Sequence, residues 1–82
     1  MLYYNDYSIK NAITHYDQLM RGLEKEAEVK GYPIDDDITY VHACKMITNI
    51  EMNRGASPAI ENWIMLGYYY GMVQNRILNY RG

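Results

Sequence analysis

Phenylalanine is absent from this 82-residue chain, and ten tyrosines stand where a core would normally draw on both residues. Cysteine occurs once, at Cys44. A single thiol excludes a disulfide within the chain and any cysteine-based zinc site, and it suits a reducing cytoplasm. Positive charge is also short: 8 lysines and arginines face 10 aspartates and glutamates, for a net charge of −2. A general nucleic-acid binder needs a basic face to displace counterions from phosphate, so direct nucleic-acid binding is not expected. No apolar run approaches the roughly 18 residues of a membrane span. The first seven residues show neither a basic nor an apolar leader segment, so no secretion signal is expected. Repeats, low-complexity tracts and linkers are missing too, and the length supports one domain, 1–82. What is present in quantity is apolar surface: a hydrophobic fraction of 49% excludes a disordered tail.

That surface is distributed with helical periodicity. Ile9, Ile13, Tyr16, Met20, Leu23 and Ala27 recur at alternating spacings of four and three, which places them on one stripe of a helix near 8–30. Asp6 or Ser8 can cap its start, and Gly31 followed by Pro33 marks its end. A second helix is expected near 36–53, with Asp35, Asp36 and Asp37 at its N-cap and first turn. Its apolar residues cover most of the circumference, which predicts a central position between neighbours. A third helix is expected near 58–80, opened by Ser57 as N-cap and Pro58 at the first helical position. Short joints make neighbouring helices antiparallel. The expected fold is all-α, a small antiparallel three-helix bundle. Its expected core is Ile13, Tyr16, Met20, Leu23, Val41, Cys44, Ile47, Trp63, Ile64, Leu66, Tyr70 and Ile77.

Candidate chemistry is sparse. The run Asp35-Asp36-Asp37 offers hard oxygen ligands, but no calcium-loop pattern follows it. Helix capping is the preferred reading, with an acidic knob for a basic partner as its functional counterpart. His15 and His42 each lack a second histidine three or four residues away, so neither helix presents a two-histidine metal face. Cys44 has no basic helical neighbour to stabilise a thiolate, and no Gly-x-Ser-x-Gly turn appears. No catalytic residue, metal or cofactor is expected, and the chain is read as a non-enzyme. The segment 54–63 resembles the turn and early recognition helix of phage-type repressors, so a helix-turn-helix-like DNA-binding dimer is the alternative function. Against it, Glu61 would face phosphate, and no Lys or Arg stands between Arg54 and Arg76 to read bases.

The third helix carries the most information. Gly67 and Gly71 lie four apart inside a helical pattern where each costs about 1 kcal/mol relative to alanine. Such a pair implies close helix packing, within the monomer or against a partner. One stripe of this helix is Trp63, Leu66, Tyr70, Val73 and Ile77, and a second is Ile60, Ile64, Gly67, Gly71 and Leu78. Met65, Tyr68, Tyr69 and Met72 lie away from the first, so this helix shows no clean polar face. A core of this size seldom supplies more than about 3–5 kcal/mol. A homodimer through the C-terminal helix is therefore expected, with those four residues in its interface. Charge is uneven as well: residues 1–61 hold all 10 acids and 6 of the bases, leaving only Arg76 and Arg81 beyond. Binding to another protein is expected through the face of the third helix, through Tyr3 and Tyr4 with Tyr7, or through Asp35, Asp36 and Asp37.

The run Trp63-Ile64-Met65-Leu66-Gly67-Tyr68-Tyr69-Tyr70-Gly71-Met72 resembles the closing helix of small accessory proteins from phages and mobile elements of low-GC bacteria. Some proteins of that class, anti-CRISPR proteins among them, bind and disable a host defence protein. The resemblance implies a cytoplasmic interaction protein and assigns no role to any single residue. The missing phenylalanine and the low lysine count depart from that composition.

Overall fold

The computed structural model describes residues 6–53 and 59–81, the first three by backbone alone. Among these residues the structure is all-helical, with α1 over Asp6–Lys30, α2 over Ile38–Met52 and α3 over Ile60–Leu78. No strand occurs among them. Ser57 and Pro58 lie outside the described residues, and Ala59 occupies the N-cap of α3 without a side-chain bond.

The joint between α1 and α2 is built from the stop signal in the sequence. Gly31 takes φ 73, the left-handed region that glycine enters without a steric penalty. The chain then closes a Schellman motif, with the Tyr32 N–H donating to the Ala27 carbonyl at 2.8 Å and the Gly31 N–H to Glu28 at 3.2 Å. Pro33 leads into a single 3-10 turn, Ile34–Asp36, which postpones α2 until Ile38 rather than 36. Ile34 is buried beneath this turn, a core position that periodicity could not reveal because it stands alone between two helices.

The core is made of Ile9, Met20, Leu23 and Ala27 from α1, Tyr40, Ala43, Ile47 and Ile50 from α2, and Leu66, Val73 and Ile77 from α3. Each helix packs on both others. That corrects the expectation of a central α2: Tyr40, Val41, Ala43, Cys44, Met46, Ile47 and Ile50 are buried or packed against the core, but α1 and α3 also meet directly and are not separated by α2. Ile13, Tyr16, Val41, Cys44, Trp63 and Tyr70 flank the core half-buried. Ile64, expected inside, is 55% exposed. Its error is one of phase. On a 3.6-residue helix Leu66, Val73 and Ile77 define the inner line, and Ile64 falls on the opposite side with Gly71.

Tyrosine replaces phenylalanine here with a visible consequence, because the hydroxyls tie helices together. Tyr16 stacks on Trp63, centroids 5.9 Å apart, and donates from its hydroxyl to the Trp63 carbonyl at 3.0 Å. Tyr40, buried on α2, donates to the Glu24 carboxylate on α1. Tyr32 donates to Asp37 and meets Tyr80 edge-on at 5.1 Å. At the far end of α3, Lys30 donates from Nζ to the Leu78 carbonyl at 3.3 Å, placing a cation at the negative end of the helix dipole.

Candidate functional site

The outward side of α3 is the most unusual surface among the described residues. Ile60, Ile64, Met65, Tyr68, Met72 and Leu78 are all exposed, with Tyr68 at 70%. Gly67 and Gly71 run between them, both solvent-exposed. No charged residue occurs between Glu61 and Arg76. Scattered exposed apolar residues such as Val29 or Ile38 are ordinary. A contiguous band of isoleucine, methionine and tyrosine along one helix is the composition of a recognition surface.

The structure separates the residues that the sequence had grouped. Met65, Tyr68 and Met72 are on this outer face, as their spacing suggested. Tyr69 is not: it is half-buried and packs edge-on against His42 of α2, with centroids 5.3 Å apart, so it belongs to the seam between α2 and α3. The two glycines differ as well. A Cβ on Gly67 would lie 3.8 Å from the Tyr16 hydroxyl, an ordinary contact, whereas one on Gly71 would meet nothing within 4 Å. Among the described residues, close packing therefore gives no reason for Gly71. Ile60 and Leu78 extend the face at both ends, where helical spacing alone does not mark them as surface. Tyr3 and Tyr4 lie outside the described residues.

The acidic run divides in the same way. Asp35 and Asp36 are exposed on the 3-10 turn. Asp37 is 6% exposed and fully engaged, which removes it from any partner surface. Its Oδ1 caps α2 by accepting from the backbone N–H of Thr39 at 2.9 Å and of Tyr40 at 3.2 Å. Arg76 of α3 donates from Nη1 to the same oxygen and to Thr39 Oγ1, both at 3.0 Å. Tyr32 donates to Oδ2 at 2.6 Å. One carboxylate thus fastens the joint, the start of α2 and the last turn of α3.

Burial pushes the Asp37 carboxyl up, but the bonds from Tyr32, Tyr40 and Arg76 outweigh it and hold its pKa below the ordinary value. Tyr32 is raised, first by its hydrogen bond to Asp37 and then by burial. Burial, reinforced by Glu24, raises Tyr40. Cys44 is raised by burial, with Glu24 and Asp17 adding to it and the Tyr40 bond opposing. The signs give a pH profile. The Asp37 contribution is present above its unfolded value of 3.8 and is lost as pH falls through the lower folded value. The contributions of Tyr32 and Tyr40 are present below 10.0, and that of Cys44 below 9.0, each lost as pH rises through its higher folded value. Urea midpoints are expected to be flat around neutrality and to drop on both flanks; a midpoint unchanged at about pH 3 contradicts the Asp37 assignment.

The remaining concavities offer little chemistry. A shallow groove on α2 is lined by Tyr40, Val41, Cys44, Lys45, Thr48 and Asn49. Its thiol is held protonated by burial, the opposite of what a nucleophile requires. A second groove joins the ends of α1 and α3 through Val29, Lys30, Ile77 and Leu78. Among the described residues no three His, Cys, Asp or Glu side chains gather to hold a metal ion, and no helix is long and apolar enough to cross a membrane. Comparison with protein-family models, with curated proteins and with solved structures finds no match for this chain.

Proposed function

We propose that this chain is a non-enzymatic protein-binding module and that the outer face of α3 is its docking surface. The observation that carries the reading is the exposed band Ile64, Met65, Tyr68 and Met72 around Gly71, in a segment with no charge between Glu61 and Arg76. Methionine adapts its shape at little cost, and tyrosine supplies area with a polar tip. The scaffold beneath is an antiparallel bundle. Glu24 meets Tyr40 across α1 and α2, and Asp37 meets Arg76 across α2 and α3. Tyr16 meets Trp63 and Lys30 meets Leu78, so α1 and α3 run in the same direction. These contacts support an up–down–up order.

The class of partner follows from the resemblance of the third helix to accessory proteins of phages and mobile elements. A host defence protein of a low-GC bacterium, a CRISPR effector among the candidates, is the partner we assign, and the cytoplasm is the compartment. The test is affinity capture from such a lysate with the chain and with its Tyr68→Glu variant, read by mass spectrometry. A protein retained by the chain and lost at least ten-fold in the variant supports the docking face. Equal capture by both, or a tightly held small molecule with no protein, overturns it. Capture through this uncharged band is expected to resist salt, whereas capture through Asp35 and Asp36 falls steeply with it.

A further inference from the structure

We draw no further inference here: the strongest candidate, the carbon-lined groove between the last turns of α1 and α3, sets Lys25 and Lys30 against Glu26 and the negative ends of both helices, so nothing in the structure shows what covers it.

Discussion

Leu66→Ala is expected to destabilise the fold by about 3–4 kcal/mol, read as a lower urea midpoint at unchanged slope. Leu66 is fully buried, and together with Leu23, Val73 and Ile77 it is among the largest side chains removed from solvent. Removing its branched end forfeits the transfer free energy of the lost carbons and leaves a cavity that three stiff helices cannot close completely. A core of this size seldom supplies more than about 3–5 kcal/mol, so the variant stands near the edge of folding. The informative control is two residues away. Ile64→Ala should cost less than about 0.5 kcal/mol because Ile64 already faces water. Equal losses at both positions would mean that the helix is rotated from the phase described.

That two-residue contrast also shows where the sequence is informative. The α1 stripe was legible because its polar and apolar positions separate cleanly; Met20, Leu23 and Ala27 are buried where the spacing put them. On α3 two apolar stripes competed, one through Trp63 and Leu66 and one through Ile60 and Ile64, and periodicity alone has no means of choosing between them. Only packing against Tyr16 and the α2 face decides that the first goes inward. The same ambiguity misplaced Tyr69, whose neighbour His42 lies on another helix. The exposed apolar face of α3 was legible in part for the same reason. An excess of apolar residues announces that a second surface exists, while its outline depends on which stripe the core consumes.

Asp37 shows a different limit. Three adjacent aspartates are equivalent in sequence, yet one is sealed and two are free, because a 3-10 turn consumes Ile34–Asp36 before α2 begins. Asp37→Ala is expected to cost about 3 kcal/mol. It strips two backbone N–H groups of their cap and leaves the Tyr32 hydroxyl and the Arg76 guanidinium without the acceptor they share. Asp37→Asn keeps an oxygen that can accept from Thr39 and Tyr40, but it replaces the oxygen that accepts from Tyr32 with an amide donor and removes the charge facing Arg76, so a cost of about 2 kcal/mol is expected. The two variants also differ from the parent in acid. The parent loses stability as pH falls below 3.8 and the depressed Asp37 carboxyl takes up its proton. Neither variant has that carboxyl, so the acid flank of their midpoint-versus-pH curves should be shallower, and the gap between parent and variant should narrow. Asp35→Ala and Asp36→Ala, made on the exposed turn, should leave both the midpoint and the acid flank within about 0.5 kcal/mol of the parent. If instead all three alanine variants cost the same, the run acts only through its summed charge at the helix start, and the fastening role of Asp37 is wrong.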